Sequence, residues 1–239
     1  MKKAVVSFIA FMALVLTGSC WAEGMGAERG IEQQQEREWF DKGQQAMAFG
    51  KYDEAIMCFE KVLSINPGFT DAHRFIGDAC MKKGLPDSAI ESYKKALDSK
   101  AQMVPAHVGL GNAYFQKGMY AEAQSAYERA LTMQPDNAPA RIGLGNIYYA
   151  KCDPGKALSE YRKGLAVEPD HAEAQLKVGL ILQEKGETDK AALNFYKAGL
   201  LFIKQGDRNG AMDAYGHLQE TKDERLKQLL HDALQPSSK

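Results

Sequence analysis

The sequence has little cysteine and no surplus of charge of either sign. Among its 239 residues are four cysteines, and 30 lysines and arginines stand against 31 aspartates and glutamates, for a formal net charge of -1. Beyond Cys20, the cysteines Cys58, Cys80 and Cys152 form no Cys-x-x-Cys pair of the kind that holds a metal. Cys58 and Cys80 are open to pairing with each other or to burial as free thiols. Because basic residues are not in excess, the composition argues against nucleic acid or an anionic bilayer as partner.

Long hydrophobic runs are also absent beyond the N-terminus. The apolar run at the N-terminus extends from Ala4 to Leu16 and follows two lysines. It is shorter than the roughly 20 residues that a membrane-spanning helix needs. This pattern predicts a secretory signal peptide over residues 1–22 and no integral membrane span in the mature chain. An exported, periplasmic protein is therefore expected.

Two ways of processing this signal peptide are open. Cleavage after Ala22, with Cys20 and Ala22 as the small residues of the cleavage site, would release a soluble protein. The segment Thr17-Gly18-Ser19-Cys20 also resembles a bacterial lipoprotein box, although Thr17 stands where leucine is usual. In that alternative, Cys20 carries a lipid that anchors the chain to the envelope.

A fixed period of 34 residues, the step from Gly43 to Gly77, organises the rest of the chain. Glycine, alanine and aromatic residues each recur at this step, in the series Gly43, Gly77, Gly111, Gly145 and Gly179; Ala55, Ala89, Ala123, Ala157 and Ala191; and Phe59, Tyr93, Tyr127, Tyr161 and Phe195. A second glycine series, broken only by Cys152, is Gly50, Gly84, Gly118 and Gly186. The recurrence predicts five repeat units, at residues 36–69, 70–103, 104–137, 138–171 and 172–205.

Each unit is predicted to be a pair of antiparallel helices. In the third unit the apolar residues recur at helical spacing, and Gly118 supplies the left-handed cap that ends the first helix. Small side chains let the paired helices approach closely, while the aromatic residue four positions after each alanine fills the adjoining space. We therefore expect Gly111→Leu to overpack the pair at a cost of roughly 1–3 kcal/mol.

These residues resemble the tetratricopeptide repeat, whose motif is Trp-x2-Leu-Gly-x2-Tyr, then Ala-x3-Phe and Pro. The third unit matches it with His107, Leu110, Gly111, Tyr114, Ala123, Tyr127 and Pro135. The first unit departs from it at Lys42 and Ala46, and the second has Ala101 in place of the closing proline. The resemblance covers residues 36–205 and implies an all-α fold, a right-handed superhelical α-solenoid of antiparallel helix pairs.

Beyond the fifth unit the period changes. Gly199, Gly206, Ala211 and Tyr215 repeat the internal spacing of a unit, but Gly199 follows Gly179 by less than one full period. We interpret a helix from about 188 to 205 as shared between the fifth unit and a partial sixth unit at 206–220. Residues 23–35 are predicted to be a polar spacer. Residues 221–239 are predicted to be a capping helix and tail, with a buried stripe of Leu226, Leu229, Leu230 and Leu234.

The resemblance implies a concave surface, lined by the first helices of the units, where a ligand would bind. On each first helix a second stripe of residues runs beside the core stripe, at i, i+4 and i+7 spacing. We call this set the groove stripe; its members are Phe40, Gln44, Met47, Arg74, Asp78, Met81, Val108, Asn112, Phe115, Ile142, Asn146, Tyr149, Leu176, Leu180 and Gln183.

The groove stripe combines apolar side chains with amides, which suits an extended or helical peptide. Asn112 and Asn146 are predicted to pair with the peptide backbone. The alternative is that the asparagines are typical of the family and that the apolar residues only pack on their neighbours. Val108 and Ile142 stand where carboxylate-capturing grooves of the family carry Lys or Asn. We therefore expect an internal segment or a folded surface, rather than a chain terminus, as ligand.

No set of residues points to catalysis or to a cofactor. The five histidines are dispersed, and the Gly-x-Gly stretches at 109–111 and 143–145 lie within predicted helices. The sequence predicts a non-enzymatic scaffold or adaptor of the bacterial cell envelope, with another protein or peptide as partner, no metal and no cofactor. The alternative is a self-associating structural protein, or an outer-membrane lipoprotein that assists pilus or secretion assembly, and a homo-oligomer stays open.

Overall fold

The computed structural model describes residues 30–235. Every regular element in this range is an α-helix, and no strand occurs in it. The prediction of an all-α fold built of antiparallel helix pairs is confirmed. The predictions for the signal peptide at 1–22, for Cys20 and for the tail at 236–239 concern residues outside this range.

Short turns join the helices of the described residues. The first helix, α1, covers residues 30–48. Residues 30–35, which the sequence predicts as spacer, therefore belong to α1, because their glutamines and glutamate are good helix formers. No helix in the described part is both long and apolar enough to cross a membrane. The other helices are α2 (Tyr52–Ile65), α3 (Thr70–Lys82), α4 (Pro86–Ser99), α5 (Val104–Gln116), α6 (Tyr120–Met133), α7 (Ala138–Ala150), α8 (Pro154–Val167), α9 (Ala172–Glu184), α10 (Thr188–Gln205), α11 (Arg208–Gln219) and α12 (Glu224–Leu234).

A residue in the left-handed backbone conformation separates the two helices of each pair. Gly118 has φ +73°, and equivalent glycines end the first helices of the other pairs. The fourth pair differs, because Cys152 takes this position with φ +56° and is the one non-glycine residue with positive φ among residues 30–235. A side chain with a Cβ atom is strained there.

Contact between a glycine and an aromatic ring holds each helix pair together. A Cβ atom added to the glycine of the first helix would lie 2.5–2.6 Å from a ring carbon of the second helix. Atoms do not pack that closely, so the contact requires glycine. The predicted packing of small residues against rings is thus confirmed. The contacts join Gly43 to Phe59, Gly77 to Tyr93, Gly111 to Tyr127, Gly145 to Tyr161 and Gly179 to Phe195, and all five rings are buried.

The chain divides after Ala101 into two compact units, the first containing α1 to α4 and the second α5 to α12. In the first unit, the fully buried ring of Phe59 on α2 stacks on Phe75 of α3, with centroids 5.2 Å apart. The buried thiols of Cys58 and Cys80 lie on the same two helices and are unpaired. Burial raises the pKa of both thiols.

The second unit ends in three helices that share one core. The 18-residue helix α10 packs against α9 and also against α11 and α12, as the sequence predicts for a shared helix. The side-chain atoms nearest to Gly199 belong to Leu230 of α12. Leu230 is fully buried, whereas Leu229 is 42% exposed and lies outside the buried stripe. Successive helical residues point about 100° apart, so both leucines cannot face the core equally.

Candidate functional site

Two asparagines on neighbouring helices of the second unit form the centre of the site. Asn112 lies on α5 and Asn146 on α7, and these helices contact each other. The hydroxyl of Tyr127 donates a hydrogen bond to Oδ1 of Asn112 at 2.7 Å, and the hydroxyl of Tyr161 donates to Oδ1 of Asn146 at 2.7 Å. Each tyrosine therefore fixes the orientation of one side-chain amide.

This orientation leaves the N–H groups of the two amides available. Nδ2 of Asn112 and Nδ2 of Asn146 have no hydrogen-bond partner within residues 30–235. Asn112 is exposed and Asn146 is half-buried, so a ligand can reach both. Burial raises the pKa of the Tyr127 and Tyr161 hydroxyls, which keeps them protonated as donors. The site thus offers side-chain N–H donors, which pair with carbonyl oxygens of a peptide backbone.

In the helix pairs, a tyrosine on the second helix occurs together with an Asp or Asn acceptor on the first helix. In the second pair, the hydroxyl of Tyr93 donates to Oδ1 of Asp78 at 2.6 Å. The first and fifth pairs have Phe59 and Phe195 instead, and the residues at the acceptor position are Gln44 and Leu180. Sequence reasoning missed this role of the tyrosines. The sequence does contain a sign of it, because each tyrosine of the three central units has an Asp or Asn 15 residues earlier.

Half-buried apolar side chains flank the asparagines. Val108 and Phe115 pack against the core between α5, α6 and α7, and Tyr149 and Leu180 pack against the core that extends through α9. The ammonium of Lys177 lies 4.8 Å from the centroid of the Tyr149 ring, so α7 and α9 meet along this surface. Burial raises the pKa of the Tyr149 hydroxyl. Part of each apolar surface remains accessible for contact with a partner.

Two members of the groove stripe do not lie on this surface, and their prediction is wrong. Ile142 is 4% exposed and Leu176 is 8% exposed, and both belong to the buried core of the second unit. Gly164 on α8 has no side chain to keep Ile142 out, so Ile142 fills the adjoining space. A third member, Gln183, donates from Nε2 to Glu220 at 2.7 Å.

Three members of the groove stripe in the first unit, Phe40, Arg74 and Asp78, make contacts within the chain. Phe40 is half-buried among aromatic rings, including Phe75 at 5.4 Å, so neighbour packing explains it. Nη1 of Arg74 donates to Oδ2 of Asp78 at 2.6 Å, and the guanidinium lies 3.7 Å from the Phe75 ring centroid. Burial raises the pKa of Asp78, whose other oxygen accepts from Tyr93. The remaining members are Gln44, which is exposed, and Met47 and Met81, which are half-buried.

No group of three or more His, Cys, Asp or Glu side chains within residues 30–235 is arranged to hold a metal ion. The described residues form a surface on which side-chain amide donors lie beside apolar side chains. This surface is built from helix pairs that recur at a fixed period. These features define the class of paired-helix repeat proteins.

Models of the tetratricopeptide repeat match residues 40–104, 114–181 and 193–221. The crystal structure of MamA is 30% identical, with a TM-score of 0.57, and the match covers 69% of this chain and 96% of that chain. The chain belongs to the tetratricopeptide repeat family. Proteins of this family are typically non-catalytic scaffolds that bind other proteins or peptides. No curated protein matches the sequence.

Two further solved structures share the fold. Pseudomonas aeruginosa pilF is 20% identical, with a TM-score of 0.63, over 85% of this chain and 99% of that chain. YrrB, described as a TPR protein with an unusual peptide-binding site, is 23% identical, with a TM-score of 0.50, over 73% of this chain and 97% of that chain. At these identities the likeness concerns the fold alone.

Proposed function

We propose that this chain is a non-enzymatic scaffold that binds an extended or helical segment of another protein along α5, α7 and α9. The observation that carries the proposal is the pair of oriented amides at Asn112 and Asn146, with their N–H groups unpartnered in the described residues. Peptide recognition that reads the main chain needs fixed donors beside apolar contact area. Both are present on one surface of the second unit.

The charge of this surface favours an internal segment over a chain terminus. A terminal carboxylate needs basic side chains, because charge-assisted hydrogen bonds are the strong ones. The accessible stripe residues of the second unit, Val108, Asn112, Phe115, Asn146, Tyr149 and Leu180, include no base. The adjacent Lys177 is engaged over the Tyr149 ring. Uncharged donors suit the main-chain carbonyls that an internal segment offers.

Binding of random peptides with both ends capped, displayed as a library, tests this function. The tightest peptide is then titrated against the natural chain and the double variant Asn112→Ala/Asn146→Ala. Loss of two hydrogen bonds of about 1 kcal/mol each predicts at least about tenfold weaker binding. Asn209→Ala removes an exposed amide from α11 and is the matched control, for which unchanged binding is expected. Equal affinity for the double variant, or binding only of peptides with a free C-terminus, contradicts the proposal.

The cellular setting follows from the N-terminal sequence. An exported scaffold or adaptor of the bacterial envelope is proposed because residues 1–22 have the pattern of a signal peptide. Mass spectrometry of the mature N-terminus distinguishes the two processing routes. A chain that starts at Glu23 indicates release into the periplasm, whereas diacylglycerol on Cys20 indicates a lipid anchor. An intact N-terminus in the native host contradicts export through this signal.

Self-association is the second candidate, and the 42% exposed Leu229 on α12 favours it. In this alternative, the groove stripe of one copy accepts the terminal helix of another. Light scattering of the natural chain should then show a mass that rises with concentration. Leu229→Ser leaves the buried Leu230 in place and should return the mass to that of a monomer. A monomer at every concentration excludes this alternative.

A further inference from the structure

Charged side chains distinguish α9 from the other two helices of the proposed site. Four residues of α9 follow each other at i, i+4, i+7 and i+11 spacing, which places them on one side of the helix. We call this side the α9 face; its members are Glu173, Lys177, Leu180 and Glu184. The equivalent residues of α5 and α7 are all uncharged. They are Pro105, Gly109, Asn112 and Gln116 on α5, and Pro139, Gly143, Asn146 and Ala150 on α7.

The α9 face is directed toward the proposed site. The ammonium of Lys177 lies 4.8 Å from the centroid of the Tyr149 ring on α7. Burial is the main cause of the raised pKa of the Tyr161 hydroxyl, and the charge of Glu173 adds to it. Burial likewise raises the pKa of the Tyr149 hydroxyl, and the charge of Glu184 adds to that effect. Both carboxylates are therefore close enough to act on groups of the site.

The two carboxylates of the α9 face are not neutralised by bases of the described chain. Within residues 30–235, the exposed side chains of Glu173 and Glu184 form no ion pair. Lys177 stands between them but is engaged over the tyrosine ring of α7. Lys185 follows Glu184 in the chain, and its charge acts on Glu187. Two negative charges on this face are thus left for cations of a partner.

The spacing of the carboxylates determines where those cations stand. At a rise of about 1.5 Å per residue, Glu173 lies about 10 Å from Leu180 along α9, and Glu184 lies about 6 Å away in the opposite direction. An extended segment rises about 3.3 Å per residue, so positions three and two residues from an apolar residue match these distances. An extended segment also has backbone carbonyls free to accept from Asn112 and Asn146, whereas carbonyls inside a helix are already paired.

We propose that the partner segment is extended and cationic, with two basic side chains around one apolar residue in the pattern basic-x-apolar-x-x-basic or its reverse. The apolar residue contacts Leu180, and the basic residues pair with Glu173 and Glu184. This inference rests on the function proposed above and adds the class of partner to it. Opposite charge on segment and surface also speeds their association.

Two libraries of peptides with both ends capped test the inference. Both have leucine at a fixed position; one has lysine at the two basic positions of the pattern and its reverse, and the other has glutamine there. The best lysine peptides should bind about fivefold more tightly, because two exposed ion pairs each add a small factor, and high salt should remove the difference. Equal affinities that are still lost in Asn112→Ala/Asn146→Ala overturn the inference and leave the proposed function intact. Absence of binders in both libraries overturns both.

Charge variants of the α9 face provide the sharper test. Glu173→Gln/Glu184→Gln should weaken binding of the tightest lysine peptide about fivefold and leave its glutamine counterpart unaffected. Glu173→Lys/Glu184→Lys should instead prefer the same peptide with glutamate at the two positions. Glu122→Gln/Glu168→Gln removes two exposed carboxylates from α6 and from the end of α8, and is the matched control with unchanged binding. Equal weakening by the two glutamine variants, or no weakening by Glu173→Gln/Glu184→Gln, contradicts the proposal.

Discussion

The fourth and fifth helix pairs, α7–α8 and α9–α10, follow each other in the chain and share one design, yet they present different surfaces. In both, a glycine of the first helix lies against an aromatic ring of the second, Gly145 against Tyr161 and Gly179 against Phe195. The ring of the fourth pair carries a hydroxyl that orients Asn146. The fifth pair has neither the hydroxyl nor the asparagine.

The same two pairs differ on their other sides. Arg141 and Glu160 form an ion pair in the fourth pair, whereas Gln175 and Asn194 stand at the equivalent positions of the fifth pair and donate to backbone carbonyls. Cys152 strains the turn of the fourth pair, and Gly186 relaxes the turn of the fifth. The comparison teaches that the repeat fixes the contact between helices, and that individual substitutions around it create or remove binding surface. Four predictions test this view.

The largest effect is expected from the glycines that both pairs share. Gly145→Leu and Gly179→Leu each place a side chain 2.6 Å from the opposing ring, so both should lower the free energy of unfolding by roughly 1–3 kcal/mol. Urea denaturation monitored by circular dichroism measures the loss. The two losses should be similar, because the contact is the same.

Gly216→Ala in α11 is the control for the glycine series. No atom lies within 4 Å of the added Cβ, and the backbone there is helical, so this variant should be stabilised by about 0.5–1 kcal/mol. A chain that tolerates Gly145→Leu as readily as Gly216→Ala would show that the ring contact does not hold the pair.

The second prediction concerns the hydroxyl that distinguishes the two pairs. Phe195→Tyr introduces a hydroxyl without an acceptor, since Leu180 stands at the acceptor position, and should cost roughly 1–2 kcal/mol. Adding Leu180→Asn should recover about 1 kcal/mol of that cost. Tyr161→Phe removes the bond to Asn146 and should cost about 1 kcal/mol. Equilibrium unfolding of Phe195→Tyr, Leu180→Asn and the double variant gives the coupling energy between the two positions. A coupling energy near zero contradicts the role of the hydroxyl.

The third prediction concerns the turn between the helices of each pair. Cys152→Gly removes a side chain from a backbone with φ +56° and should stabilise the chain by about 1 kcal/mol. Gly186→Ala makes the opposite change at φ +78° and should destabilise by about the same amount. Thermal unfolding of both variants measures the two shifts in melting temperature. Shifts of the same sign are incompatible with strain at Cys152.

The smallest effect is chemical and leaves the fold intact. Burial raises the pKa of Cys58 and Cys80, so less thiolate is present at pH 8 and alkylation by iodoacetamide should be slow. Cys152 is exposed and should react first. Mass spectrometry of peptides at successive times gives the order. Fast reaction of all three thiols under native conditions contradicts the burial of the first two.

Much of the fold could be predicted from the sequence, because glycine, alanine and aromatic residues recur at a fixed step and only paired helices satisfy all three series. Asn112 and Asn146 were also predictable, from their place beside the core stripe. Burial of Ile142 was not, because it depends on the absence of a side chain at Gly164, which lies on the following helix. The packing of Leu230 against Gly199 depends on how α12 docks, which no repeat series records.

The account is tested most directly at the two asparagine amides. Their side-chain 1H–15N signals should shift when the tightest capped peptide is added, because Nδ2 of Asn112 and Nδ2 of Asn146 become donors to the peptide. The signal of the Asn209 amide should stay in place. Peptide binding that leaves the Asn112 and Asn146 amide signals unmoved contradicts the central claim.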